Sequence, residues 1–249
     1  MKYMGGKSRI AKQIADYILT YTYNMRERES NLTFVSLFCG ACSIECNLAK
    51  YFDNVVCNDN HKYLIALLNA VNNGWIPPDY LSEEEWYYVK DHLDQNPALS
   101  GFAGFGCSFG GRWFEGYARG KKSNGDPRNY AAEAKKSLLR DIAPLDNVKF
   151  ICGDYHDITL PDGCVVYADP PYANTKQISR QSFDTESFWN YMREISKDHI
   201  VFISEQSAPE DFVSVWEQKL TRTLDRNKNN QFKATEHLFL HNSKILNNA

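Results

Sequence analysis

The chain has 249 residues, with 28 Lys and Arg against 31 Asp and Glu, a net charge of −3 and a pI of about 6.1. That length allows one large domain, or a domain with an insertion, and a substantial core. The composition is ordinary for a soluble globular protein. No apolar stretch is long enough to span a membrane, and Met1-Lys2-Tyr3-Met4-Gly5-Gly6-Lys7 lacks the apolar core of a secretory signal, so the sequence predicts a cytoplasmic protein.

In chain order, residues 8–20 are predicted helical, with Ile10, Ile14, Ala15 and Ile18 on one face and Ser8 as the cap. Phe34 to Phe38 reads as a first strand, followed by the small-residue turn Cys39-Gly40-Ala41-Cys42-Ser43 and a helix from Ile44 to Tyr51. Asn54 to Cys57 is a second strand ending at Asn58-Asp59-Asn60, and another helix begins near Lys62. This strand–turn–helix–strand–acid order is a βαβ unit. The alternation breaks over residues 70–145, where helical pieces at 82–93 and 130–140 flank a Gly- and aromatic-rich centre from Gly101 to Phe114. So long a departure inside a compact domain reads as a functional insertion. Sheet signals return at Val148–Cys152, Cys164–Ala168 and Ile200–Ile203, with a helix at 186–197 and two final strands at Lys219–Leu224 and His237–His241. The polar stretch 225–230 between these last two is expected to be mobile.

Seven cysteines cannot all pair internally, and most lie in apolar runs, which fits a reducing compartment. Cys39-x2-Cys42-x3-Cys46 has spacing worth weighing as a metal or iron–sulfur set. It falls where a strand turns into a helix, a bend that small side chains fit, and no metal is expected.

Two constellations carry chemistry. Asp169-Pro170-Pro171-Tyr172 follows the apolar run ending at Ala168, so an acid, two rigid prolines and an aromatic stand where a parallel strand ends. A carboxylate and a backbone carbonyl in fixed positions suit the two hydrogens of an exocyclic amino group, and the aromatic offers a stacking surface. In the first βαβ unit, Gly40 lets a ligand approach the backbone. Asp59 follows nineteen positions later, placed to grip two ribose hydroxyls. Gly40-Ala41-Cys42 lacks the second glycine that a pyrophosphate requires, so a cofactor with a ribose and no phosphate is favoured.

Tyr3-Met4-Gly5-Gly6-Lys7, Phe38-Cys39-Gly40-Ala41-Cys42, Asn58-Asp59-Asn60 and Asp169-Pro170-Pro171-Tyr172, with Ser204-Glu205 after a late strand, occur in this order along most of the chain. In these segments the chain resembles the Dam-type (D12 class) DNA adenine-N6 methyltransferases. The resemblance implies S-adenosylmethionine as cofactor and a flipped-out adenine of double-stranded DNA as substrate. It places Tyr3 and Lys7 at the cofactor, Lys7 near its carboxylate, with Gly40 against the methionine part and Asp59 on the ribose. Phe38 either packs on the cofactor or belongs to the core, and Asp154 either touches the adenine end or is a turn acid. Asp169, Pro170 and Tyr172 become the catalytic group, Asp169 also reaching the cofactor.

The insertion then matches the target-recognition region. Arg112 and Arg119 are candidates for guanine edges, and Lys121, Lys122, Arg128, Lys135 and Lys136 for phosphates. Phe109, Trp113 and Tyr117 are candidates to fill the gap left by the flipped base. No pattern here licenses a particular target sequence. The expected architecture is a Rossmann-like α/β methyltransferase fold, a seven-stranded mostly parallel sheet with an antiparallel end. Residues 1–69 and 146–249 form the catalytic domain and 70–145 the recognition insertion. Neither a membrane nor an obligate protein partner is implied. Cytosine N4, RNA adenine and a protein amide remain alternative acceptors of the same chemistry, and binding without catalysis is an alternative of a different class.

Overall fold

The protein is described from a computed structural model covering residues 1–143, 145, 147–171, 183–223 and 231–245, with side chains at 221–223 and 231–234 excepted. Tyr172 and the stretch 225–230 lie outside the described residues.

Seven strands form one sheet: β1 (Thr33–Ser36), β2 (Asn54–Asp59), β3 (Val148–Cys152), β4 (Val165–Ala168), β5 (Ile200–Glu205), β6 (Phe212–Thr223) and β7 (Gln231–His241). Their order is β3-β2-β1-β4-β5-β7-β6. β1 to β5 are mutually parallel, while β7 runs antiparallel to both β5 and β6. This is the expected mostly parallel α/β sheet with an antiparallel end. The central strands β1 and β4 are buried along their whole length, which is why they read as unbroken apolar runs. Alternate residues serve opposite faces. Phe34, Val165, Tyr167 and Phe202 join one core, and Val35, Val166, Ala168, Val201 and Ile203 the other.

Helices cover both faces. α1 (Ala11–Tyr21) buries Ala11, Ile14, Ala15 and Ile18, and α2 (Tyr23–Arg28) follows it. The short α3 (Glu45–Leu48) leads from the first turn toward β2, and α4 (Lys62–Asn72) buries six side chains. Between α4 and β3 come α5 (Glu83–Asp91), α6 (Pro97–Gly101) and α7 (Tyr130–Asp141). α8 (Thr185–Ile195) buries Phe188, Trp189, Met192 and Ile195 against the second face, each worth roughly 1.5–3 kcal/mol of apolar burial. α9 (Asn242–Ile245) follows β7. Among the described residues no helix is long and apolar enough to cross a membrane.

Several local expectations change. Ser8 does not cap α1: residues 7–10 form a turn, with Ile10 N–H donating to the Lys7 carbonyl at 2.9 Å, and Ile10 precedes the helix without a side-chain cap. The helix expected over 44–51 is the four-residue α3 and a 3₁₀ turn at Ala49–Tyr51. The Gly-rich centre is helical, α6 continuing into a π-turn at Phe102–Gly106 that is wholly buried. The final strands begin earlier than expected, at Phe212 and Gln231. β6 is an edge strand with a register shift between Ser214 and Trp216, so polar residues interrupt the pattern that marks a buried strand.

Candidate active site

The strand order reverses between β1 and β4: β2 and β3 extend the sheet on one side of β1, β4 and β5 on the other. In such sheets ligands bind beyond the carboxyl ends of the strands at this switch point. The turn carrying Gly40 leaves β1 there, and Asp169 leaves β4. Tyr167 accepts the Leu37 N–H through its carbonyl at 2.9 Å, and Asn58 accepts the Cys39 N–H at 2.7 Å, so both neighbouring strand ends hold the turn.

Gly40 has φ +50°, and a Cβ added there would lie 3.0 Å from Cε1 of Tyr3, so the turn is small because an aromatic ring rests on it. Asp59 ties the turn to β2. Its Oδ2 accepts the Gly40 N–H at 3.1 Å and its Oδ1 the His61 N–H at 2.9 Å. Burial raises its pKa, opposed by these two hydrogen bonds. Each oxygen keeps a further lone pair for a hydroxyl. Beside it, the Asn58 amide donates to the carbonyls of Leu37 at 3.0 Å and Gly153 at 3.1 Å, while its buried Oδ1 has no partner among the described residues. Burial, with Asp59 and the Cys39 thiol beside it, holds the Tyr3 hydroxyl well above its ordinary range and therefore neutral.

The catalytic candidate is part of a buried ionic group. The Lys7 ammonium, expected near a cofactor carboxylate, instead lies 3.0 Å from Asp169 Oδ1 and 2.8 Å from Glu236 Oε1, so it joins Asp169 to a carboxylate from β7. Asp169 keeps 20% of its side chain exposed, against 3% for Lys7 and 1% for Glu236. Burial raises the Asp169 pKa to about 6, Lys7 opposing and Glu236 and Glu205 reinforcing. Pro170 is buried behind it and Pro171 is exposed.

Two other candidates occupy the flank. Phe38 packs 5.0 Å from Tyr155 and 6.1 Å from Phe188, within an aromatic cluster that also includes Phe183. Asp154 is exposed and caps the turn at Tyr155–Asp157, accepting from His156 N–H at 2.9 Å. The cysteines do not converge as their spacing suggested. The Cys46 thiol donates to the Ser43 carbonyl at 3.4 Å and the Cys39 thiol to the Gly40 carbonyl at 3.8 Å, while Cys42 and Cys57 are buried in the same core as Cys39. Among the described residues no group of three or more His, Cys, Asp or Glu is arranged to hold a metal ion.

On the insertion, Phe109 stands at a tip with 65% exposure, followed by Gly110 and Gly111, both at positive φ. The tip rests on the N-terminal segment: Met4 N–H donates to the Gly111 carbonyl at 3.2 Å, and a Cβ at Gly111 would lie 2.6 Å from the Lys2 carbonyl oxygen. The other two candidate aromatics are engaged. Trp113 stacks on Tyr63 at 5.4 Å, and the Tyr117 hydroxyl donates to Leu81 at 2.6 Å. Lys121 and Lys122 are exposed at the base of a tight hairpin whose strands bridge Lys121 to Pro127. Arg112 pairs with Glu115 at 2.8 Å, Arg119 with Glu83, Arg128 with Glu133, and Lys135 with Asp79 at 2.9 Å. Lys136 is exposed on α7.

The sequence profile of the D12 class N6 adenine-specific DNA methyltransferases matches residues 3–99 and 114–246. The chain belongs to this family. The stretch of this D12 methyltransferase left between the matched segments contains the Phe109 tip. No curated protein matches the chain. Among solved structures it is similar to a dimethyladenosine transferase from Plasmodium falciparum, at 11% identity over 95% of this chain and 64% of that one, TM-score 0.39. It is also similar to magnesium protoporphyrin IX methyltransferase from Synechocystis with bound S-adenosylmethionine, at 11% identity over 94% and 81%, TM-score 0.39.

Sequence reasoning assigned no role to Asn58, Glu45, Glu205 or Glu236. Asn58 and Glu205 lie inside segments that carried the resemblance; Glu45 and Glu236 have no local signal. Glu45 is 1% exposed at the start of the short helix that follows the Gly40 turn, accepting from Ser36 Oγ at 2.6 Å and Ile44 N–H at 3.2 Å. Burial raises its pKa from 4.5 to about 7, Ser36 opposing. The stability that Glu45 contributes is therefore complete below about pH 4.5 and is lost as pH rises through about 7. Glu45→Gln abolishes that loss but gives up one of the two accepted hydrogen bonds. The variant should be more stable than the wild type by about 2 kcal/mol at about pH 8 and by almost nothing at about pH 5. Thermal melts at both pH values check this, and a difference independent of pH would show that Glu45 is not the titrating group.

Proposed function

We propose that the protein transfers a methyl group from S-adenosylmethionine to N6 of an adenine flipped out of duplex DNA. The observation that carries this reading is the Asp169 carboxylate, held by Lys7 yet 20% exposed, at the end of β4 beside β1, from which the Gly40 turn leaves. The family match supports it with a substrate class.

The residues present fit the cofactor. The Gly40 cradle would be filled by a Cβ, Asp59 retains acceptor capacity for ribose hydroxyls, and the buried Asn58 Oδ1 lacks a donor among the described residues. Tyr3 and Phe38 would wall the site, and Asp154 would keep its capping role beside it. Bound there, S-adenosylmethionine supplies an electrophilic sulfonium methyl, the new N–C bond forming as the S–C electron pair withdraws onto sulfur. The Asp169 carboxylate and the Pro170 carbonyl accept the two N6 hydrogens, which draws the nitrogen out of conjugation and aims its lone pair. As N6 gains the methyl it sheds a proton, which Asp169 accepts and returns to water. Positioning and electrostatics carry such a reaction. Lys7 holds Asp169, so its part is played on the protein's own carboxylate. The stacking role of Tyr172 rests on its place in the motif.

Residues 70–145 would read DNA. Lys121 and Lys122 on the hairpin suit phosphates. Arg112, Arg119 and Arg128, each held by an acid, would have to exchange that partner for a base or phosphate. Phe109 is the exposed aromatic beside the segment that bears Tyr3, placed to enter the stack when the adenine leaves. Phe109→Ala should retain cofactor affinity but reduce the fluorescence rise of 2-aminopurine at the target position about fivefold, since stacking of one base is worth about 1–3 kcal/mol. An unchanged signal would remove Phe109 from the flipping step.

The direct test is incubation with labelled S-adenosylmethionine and unmethylated DNA, followed by nucleoside analysis. N6-methyladenine is expected. Label in N4-methylcytosine, or in RNA alone, would reassign the acceptor. Binding of DNA without transfer would favour occupancy.

A further inference from the structure

Glu236 lies on β7, where alternate residues Leu238 and Leu240 are buried in the same core. It belongs to none of the segments that carry the family resemblance, and it stands 229 residues from its partner Lys7. An ionised carboxylate in such a place is destabilising unless it is paired. Its partner is the ammonium that also holds the catalytic acid, so one cation is divided between two carboxylates, at 2.8 and 3.0 Å. Building on the methyl-transfer reading, we propose that Glu236 is a positioning residue that, through Lys7, fixes the Asp169 carboxylate and keeps it a strong hydrogen-bond acceptor.

Two effects follow from the geometry. Glu236 sets where the Lys7 ammonium sits, and hence the orientation of Asp169. It also draws part of the ammonium's charge away, so that Asp169 is less neutralised than in a simple pair. Among the described residues, Asp169 is also coupled electrostatically to Glu205 from β5, Glu45 from α3, and the hydroxyls of Tyr167 on β4 and Tyr3 on the N-terminal segment. The carboxylates among them favour the protonated acid, as Glu236 does, while Lys7 favours the ionised one. Glu236→Gln removes a negative neighbour, so the midpoint of Asp169 should fall by about one pH unit. The acid limb of the single-turnover rate should fall with it. The plateau rate should drop about tenfold because a less basic acceptor polarises N6 less, with cofactor affinity unchanged.

The test is a carbon-13 titration of the aspartate carboxyls in wild type and Glu236→Gln, the Asp169 resonance being assigned with Asp169→Asn. It requires no turnover. A lowered midpoint in the folded variant supports the role, and coincident midpoints overturn it. If Glu236→Gln does not fold, Glu236→Asp replaces it. The shorter carboxylate draws Lys7 back from Asp169, and the midpoint should rise; no movement overturns the proposal. A shifted midpoint in a protein that makes no methylated nucleoside would refute the methyl-transfer reading while leaving the linkage standing. Normal methylation with unmoved midpoint and rate would refute the linkage alone.

Discussion

Asp169→Asn is expected to lower methyl transfer by at least about 10²-fold while raising thermal stability in mildly alkaline buffer. On the proposed mechanism the catalytic loss follows from what an amide cannot do: its NH₂ would face the N6 hydrogens as a donor, and it could not take the proton that N6 sheds. The stability gain follows from linkage. The folded pKa of Asp169, about 6, lies above the ordinary 3.8, so its stabilising contribution is complete below about 3.8 and is lost as pH rises through about 6. At about pH 8 the wild type carries the whole penalty of an ionised buried carboxylate, on the order of 3 kcal/mol, and at about pH 5 roughly half of it. Asparagine carries none, and Lys7 retains Glu236. Melting curves of both proteins at the two pH values, beside single-turnover assays, check both halves. A variant that is inactive and less stable at the higher pH would mean that Asp169 chiefly supports the fold.

Gly101→Ala should destabilise the protein by about 3 kcal/mol, the cost of overpacking where nothing can yield. Its Cβ would lie 2.1 Å from the Tyr63 carbonyl oxygen and 2.8 Å from Leu67 Cβ. The carbonyl belongs to the backbone of α4, so relief requires the separation of α4 and α6. α4 follows directly on Asp59 and His61, and its displacement would also disturb the carboxylate assigned to ribose. Gly153→Ala is the control: its Cβ would meet nothing closer than 3.8 Å. Urea unfolding should show a lowered midpoint for the first and little change for the second. Equal midpoints would contradict the close approach of the two helices.

The parts of the fold legible in the sequence were those whose apolar residues follow a regular local pattern, unbroken in the buried strands and at helical spacing on an amphipathic helix. β1 and β4 read as strands because both faces are covered, and α8 because Phe188, Met192 and Ile195 recur at helical spacing. β6 was half missed, since its outer edge meets water and its register shifts at Ser214. The buried turn of helix at Phe102–Gly106 was not legible, because glycines that ordinarily break helices serve there for close approach: a Cβ at Gly104 would lie 2.2 Å from the Trp113 ring. In the site, Lys7, Gly40, Asp59 and Asp169 come from segments with a local pattern. Glu236 and Glu45 do not; their meaning arises from tertiary neighbours, which no window of adjacent residues contains. The same holds for Arg119, whose partner Glu83 is 36 positions away.

The division of one ammonium between Asp169 and Glu236 also bears on when the protein becomes competent during synthesis. A nascent chain brings Lys7 out of the ribosome before Asp169, and β1 to β5 all precede β7 in the chain. Contacts of such sequence separation carry a large loop-closure cost and form slowly. Until β7 docks beside β5, the Lys7 ammonium has one of its two carboxylates, and the acid beside it is more fully neutralised than in the finished protein. On the proposed reading, full methyl-transfer rate would thus wait on β7, after the Gly40 turn, and a chain halted before β7 would carry the motif without its balance of charge.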